Sequence, residues 1–300
     1  MPSILILGSS GKFGAHCASV FGAAGWTVAR YRRGTDMTAA ARGADVILNG
    51  LNPPDYHAWD RLVPEITEQV IAAAKACGAT VILPGNVYNF GSDGGVWDER
   101  TPQRPCSRKG RVRVAMERRY RESGVRTIVL RAGNFIDPDS GTDVMALLLL
   151  RQIRRGRLTA PGDPDAMQAY AYVPDVARAA LALAEIRETL PIFADIPFPG
   201  HAFSLRELQA DLESALGRRV RIAGFPWWAM RLGAPVWELA RELLEMRYLW
   251  SVSHRLSGET FGRLVPGFVA TDIATVMRAG LPPDIRPDEA VGSRGLGLRV

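Results

Sequence analysis

The apolar run Ile4-Leu5-Ile6-Leu7 passes directly into Gly8-Ser9-Ser10-Gly11-Lys12-Phe13-Gly14, a GxxGxxG loop that opens a helical pattern over residues 12–24. Few folds have a use for that order. Glycine at 8 permits a tight turn, glycine at 11 lets the backbone approach a pyrophosphate, and glycine at 14 allows the helix to pack closely on the strand. The helix N-terminus then presents free N–H groups to a diphosphate. The loop therefore predicts a dinucleotide site built from Gly8, Ser10, Gly11, Lys12, Phe13 and Gly14, with Gly50 and Leu51 of a later strand-end turn as further contacts.

The pattern continues as strand and helix in alternation. Residues 27–31 and 45–48 read as strands, 60–77 as a helix, 80–84 as a strand, 111–123 as a helix, 127–130 as a strand and 176–187 as a helix capped by Asp175. Strands joined through helices pair in parallel, which predicts an open, doubly wound sheet. The 300 residues are 47% apolar, enough for one large domain with a smaller appendage. From about residue 200 the texture changes: Ser204-Leu205-Arg206-Glu207 is a capping box, and Leu205, Leu208, Leu212 and Leu216 share one helix face. Residues 225–250 carry four of the seven tryptophans, which suits a helix packed on the main domain, a lid over an apolar pocket or a subunit interface. The last fifteen residues, rich in Gly, Arg and Pro, read as loosely attached.

Charge excludes more than it suggests. The net charge is +6 and Lys12, Lys75 and Lys109 are the three lysines, so the basic excess is arginine on solvated faces, without the aromatic interleaving of a nucleic-acid site. Cys17, Cys77 and Cys106 show no CxxC spacing, and His16, His57, His201 and His254 show no metal-ligand spacing; neither a disulfide framework nor a metal is expected. With no leader pattern and no uninterrupted apolar run of spanning length, a cytoplasmic protein with no membrane partner is the expectation. GxSxG and GxxxxGK[ST] are absent, which sets aside hydrolase and nucleoside-triphosphatase chemistry.

The end of the second strand speaks to cofactor choice. Arg30-Tyr31-Arg32-Arg33 stands where an acidic residue would hold a ribose 2′-hydroxyl, and the first carboxylate is Asp36. Paired guanidinium groups suit a 2′-phosphate, so NADP(H) is expected over NAD(H), with Arg32 and Arg33 as contacts.

Four segments resemble the extended or atypical branch of the short-chain dehydrogenase/reductase superfamily that includes the NAD-dependent epimerase/dehydratase proteins. They are Gly8 to Gly14, Asn86-Val87-Tyr88-Asn89-Phe90-Gly91, Leu130-Arg131-Ala132-Gly133-Asn134-Phe135 and Tyr172-Val173-Pro174-Asp175-Val176-Ala177. The resemblance implies a Rossmann-type α/β fold with a doubly wound parallel sheet of about seven strands and a smaller, mostly helical C-terminal substrate subdomain. Residues 1–133 and 167–200 would form the dinucleotide-binding domain, and 134–166 and 201–300 the substrate-binding part. It also implies that Asn134 lies near the nicotinamide, and a homodimer is a family-level expectation.

The family's usual tyrosine and lysine, four residues apart on one helix, are missing. No YxxxK occurs in the chain; aligned on Glu117, the tyrosine position falls at Lys109, the lysine position at Arg113 and the Ser/Thr position at Pro84. Lys109-Gly110-Arg111-Val112-Arg113 resembles a Lys-Gly-x-x-Arg stretch of epimerase-like proteins that lack the tyrosine. In that reading Arg113 replaces the ribose-anchoring lysine, and Lys109, among Arg108, Arg111 and Arg113, donates a proton or polarises a carbonyl. Tyr88 is a second candidate proton donor. The expected function is an NADP(H)-dependent oxidoreductase or epimerase-like isomerase acting on a small carbonyl- or enone-type metabolite. The rival is a non-catalytic NADP(H) sensor that controls a protein partner.

Overall fold

The computed structural model describes residues 1–286. Six parallel strands, β1 (Ser3–Leu7), β2 (Thr27–Arg30), β3 (Val46–Asn49), β4 (Thr80–Gly85), β5 (Thr127–Arg131) and β6 (Phe193–Pro197), form a central sheet in the order 2-1-3-4-5-6. The resemblance implied a parallel sheet of about seven strands; among the described residues the central sheet has six. Between β2 and β3 the chain has residues 31–45 and makes one short helix, Met37–Ala40, too little for another strand and crossover.

Alternation within the strands builds two cores. Ile4 and Ile6 face α1 (Lys12–Ala23), while Leu5 and Leu7 face the other layer, with α2 (Trp59–Cys77) and α3 (Arg108–Ser123). The first layer is completed by α4 (Val173–Glu185), whose Val176, Ala180 and Leu183 pack against Ile128 and Leu130 of β5. This places the C-terminal strand ends, and the loops that follow them, along one edge of the sheet, where ligands of such folds bind.

Local chemistry sets the helix ends. Ser107 accepts the Gly110 N–H at 3.0 Å to start α3, and Gly124 ends it in the left-handed region at φ 74°. Asp175, expected as a cap, lies in the first turn of α4, which begins earlier, at Val173 with Pro174 behind it. The buried Asp175 carboxylate instead accepts from the Thr271 N–H and hydroxyl, both at 2.8 Å.

A further core joins Ile136, Met145 and Leu158 to α5 (Leu205–Leu216), which starts with the expected capping box: Ser204 accepts from the Glu207 N–H and Glu207 from the Ser204 N–H. The aromatic segment forms α6 (Trp227–Gly233) and α7 (Glu238–Met246). The expectation for the last fifteen residues falls almost wholly outside the described chain.

Candidate active site

The glycine loop lines a cavity of about 570 Å³, together with Gly50, Leu51, Tyr88, Arg113, Asn134 and Leu239. Gly8 has φ +78°, and an added Cβ would lie 2.8 Å from the Gly50 carbonyl oxygen. At Gly14 a Cβ would collide with the Gly8 carbonyl. The first turn of α1 is capped by no side chain, so its N–H groups stay available to an anion. Asn49 shapes the facing turn: its amide oxygen accepts the Leu51 N–H at 3.2 Å and its nitrogen donates to Tyr120 Oη at 3.1 Å. These residues form a cradle that fits a dinucleotide.

Beside it lies a second cavity of about 640 Å³ that shares Arg33, Leu51 and Asn52 with the first. Arg33 lines both, whereas Arg32, expected as its partner, lines neither and is exposed. Asp36 turns its carboxylate to the Thr38 and Ala39 N–H groups at 2.9 and 3.1 Å, capping the short helix. Lys12 lines the loop cavity and donates from Nζ to the Thr142 carbonyl at 2.8 Å.

At the other end of the first cavity two phenols meet. Tyr88 Oη and Tyr56 Oη are 3.3 Å apart. Tyr88 is oriented by Asn86, whose side chain accepts the Tyr88 N–H at 3.0 Å. Tyr56 arrives from a 3-10 turn, Pro54–Tyr56, and takes φ 62°; it and Ala58, at φ 45°, are the non-glycine residues of positive φ among the described residues. Such a conformation in a bulky residue costs on the order of 1–3 kcal/mol and persists where the surroundings enforce it. The adjoining Tyr88 and burial push the Tyr56 phenol well above its ordinary pKa, so it stays protonated.

Arg113 closes this end of the cavity. Its Nη2 donates to Asn52 Oδ1 at 3.3 Å and its guanidinium lies 4.9 Å from the Trp59 ring centre. Burial lowers its pKa, opposed by Tyr88, Glu117 and Tyr56, while its buried Nε and the buried amide nitrogen of Asn134 have no partner among the described residues.

Lys109 stands behind the two phenols, its ammonium 4.9 Å from the Tyr56 ring centre. It is 1% exposed, does not line the cavity, and its ammonium is ion-paired to Glu242 and, at 2.7 Å, to Glu245 of α7. Arg108 joins Glu242 at 2.7 Å. The arginine-rich surroundings expected to disfavour a charged Lys109 are thus answered by two carboxylates from far along the chain. Burial raises the Glu245 pKa, but Lys109 and the N–H groups of Lys109 and Arg108 outweigh it and hold the carboxyl below its ordinary value.

Asn52, Tyr56, Trp59, Gly85 and Leu239 are the lining residues that sequence reasoning missed. The Pro53-Pro54-Asp55 turn signal could have pointed to Tyr56; nothing local marks Leu239. The fold also gathers His16, Asp137 and Asp139, with candidate ligand atoms within 4.8 Å of one another, although the spacing of the histidines carried no such signal. Here His16 Nε2 lies 3.0 Å from Asp137 Oδ1, an α1-to-loop pair.

Comparison with known proteins agrees with this architecture. Residues 64–192 match the model of the NAD dependent epimerase/dehydratase family. Three solved structures share the fold over 93% of this chain and 97% of theirs, each with a TM-score of 0.71. They are MoeE5 in complex with UDP-glucose and NAD, at 16% identity; UDP-glucuronic acid 4-epimerase from Bacillus cereus with UDP-glucuronic acid and NAD, at 14%; and UDP-glucose 4-epimerase from Brucella ovis with NAD, at 17%. No curated protein matches the sequence.

Proposed function

We propose that this chain is an NADP(H)-dependent oxidoreductase or epimerase-like enzyme that moves a hydride to or from a carbonyl/alcohol centre of a small molecule. The observation that carries the reading is one continuous cavity lined by the glycine loop at one end and by Tyr88, Tyr56 and Arg113 at the other. Gly8, Ser10, Gly11, Lys12, Phe13, Gly14, Gly50 and Leu51 would hold the diphosphate and its neighbouring ribose, and Asn134 the nicotinamide end. When bound, a nicotinamide cofactor supplies hydride transfer.

The chain's own residues supply the proton. Tyr88 donates its phenolic proton to a carbonyl oxygen, Tyr56 steadies the Tyr88 hydroxyl from 3.3 Å, and the Arg113 guanidinium favours the phenolate left behind. Lys109 acts as a strut that holds α7 against α3. Arg33 meets the 2′-phosphate, a preference supported by Asp36, whose carboxylate is turned to its own helix and not to a ribose.

Two of the neighbours named above carry a UDP-sugar with NAD and the third carries NAD, which brings nucleotide sugars into the range of substrates. The sensor reading draws support from the lysine that replaces the family's tyrosine. NADPH consumption by purified protein with a panel of carbonyl compounds and UDP-sugars, repeated with Tyr88→Phe, separates the two. Turnover lost in the variant supports the enzyme, and tight NADPH binding with no turnover on any compound supports the sensor.

A further inference from the structure

We propose that α6 and α7 form a docking element for the surface of an anionic lipid bilayer, lying in the interface without crossing it. No helix among the described residues is long and apolar enough to span a membrane. The case rests on an apolar face and on how charge is distributed around it.

Trp228 and Leu232 are 68% and 74% exposed and, four residues apart, lie on one face of α6. Val236 and Trp237 continue this surface at 91% and 47%. Four large apolar side chains within ten residues, two of them tryptophans, form a surface that water alone does not favour. Tryptophan, with an apolar body and a polar N–H, is suited to the headgroup boundary.

The charges of the segment are sorted by side. Between residues 225 and 250 the carboxylates are Glu238, Glu242 and Glu245. Glu242 turns inward to Arg108 at 2.7 Å and to Lys109, Glu245 turns to Lys109 at 2.7 Å, and Glu238, whose side chain stays part-exposed, is paired with His57 at 2.9 Å. Arg231, Arg241 and Arg247 of the same segment are exposed and have no carboxylate partner among the described residues. Arg151 adds a fourth exposed guanidinium, 5.8 Å from the Phe225 ring centre, while Arg247 lies 5.5 Å from that of Trp227. The exposed charge of this surface is four guanidinium groups against the one carboxylate of Glu238, so an apolar patch with a net cationic surround faces outward, which complements anionic headgroups above acyl chains. A second copy of the chain fits less well, because a two-fold contact through this patch would bring like-charged arginines together.

Vesicle flotation of the full chain tests the proposal, using phosphatidylcholine alone and phosphatidylcholine with phosphatidylglycerol as a minor component. The protein is expected to float with the anionic vesicles, not with the neutral ones, and to be released by high salt. Arg231→Gln with Arg241→Gln should weaken partitioning by about tenfold or more. Trp228→Ser with Leu232→Ser should remove it while the circular dichroism spectrum stays unchanged, since both side chains are exposed. The proposal is overturned if neither vesicle floats the protein or if both do equally. It is also overturned if light scattering shows a dimer that Trp228→Ser with Leu232→Ser dissolves, because a second copy would then cover the face.

Discussion

Arg131 donates from Nη1 to the main-chain carbonyl of Asn86 at 2.6 Å, tying the loop that carries Tyr88 to a cation buried in the sheet. The same guanidinium is paired with Glu117 at 2.7 Å and Asp195 at 2.6 Å, so β5, α3 and β6 meet at one fully buried group. Removing the cation leaves two carboxylates without compensation in the interior. Arg131→Met is expected to lower the unfolding free energy by about 3–5 kcal/mol. Urea denaturation measures this, and an unchanged midpoint would show that the network contributes nothing to the fold.

Lys109 stands where the resemblance to epimerase-like proteins aligned a tyrosine, yet its ammonium joins α3 to α7. Lys109→Met removes the ammonium from Glu245 and leaves the buried Glu242 with the half-exposed Arg108 alone, and is expected to cost about 3 kcal/mol. Adding Glu242→Gln to that variant should restore part of the loss. Thermal unfolding of the two variants reads the difference, and turnover by the folded fraction should fall far less than in Tyr88→Phe. A large loss of turnover with unchanged stability would return Lys109 to the chemistry.

His254 gives the fold a pH dependence. Burial lowers its pKa from 6.5 to about 4, with the hydrogen bond between Nδ1 and the Val252 carbonyl opposing, and its ring stacks 4.5 Å from Trp97. The unfolded chain takes up a proton near pH 6.5 while the folded chain resists it until about pH 4, so stability is full above that window and falls as the pH drops through it. The gap amounts to about 3 kcal/mol. Urea midpoints in wild type should decline across this range, and His254→Phe, which keeps the stacking partner, should flatten the decline.

In the proposed NADP(H) reading, cofactor choice rests on Arg33. Arg33→Ala is expected to weaken NADPH binding by about tenfold with little effect on NADH, the loss of one charge-assisted contact to a phosphate. Arg32→Ala should change NADPH binding much less, since Arg32 lines neither cavity. Fluorescence titration with both cofactors checks the pair, and equal losses for NADPH and NADH would point away from a 2′-phosphate contact.

What could be read from sequence was what local spacing encodes. The phosphate loop, the first five strands of the central sheet and the α5 capping box each depend on residues close together in the chain, and each appears where the pattern puts it, whereas β6 (Phe193–Pro197) was not foreseen. The missing seventh strand was overlooked because the family likeness outweighed the short stretch between β2 and β3. Lys109 was misjudged for another reason: Glu245 lies 136 residues away and no periodicity connects them. Tyr56 escaped notice because a strained φ of 62°, enforced by tertiary packing, brings its hydroxyl to Tyr88. Arg32 and Arg33 looked equivalent as neighbours in sequence; both are exposed, and Arg33 alone of the two lines the cavities.

The most direct test of the central claim pairs NADPH affinity with NADPH-linked turnover in wild type and Tyr88→Phe. The account predicts equal NADPH affinity in both proteins and turnover about a hundredfold lower in the variant, the scale of a lost general acid. Unchanged turnover in Tyr88→Phe, or no NADPH binding by the wild-type chain, would contradict it.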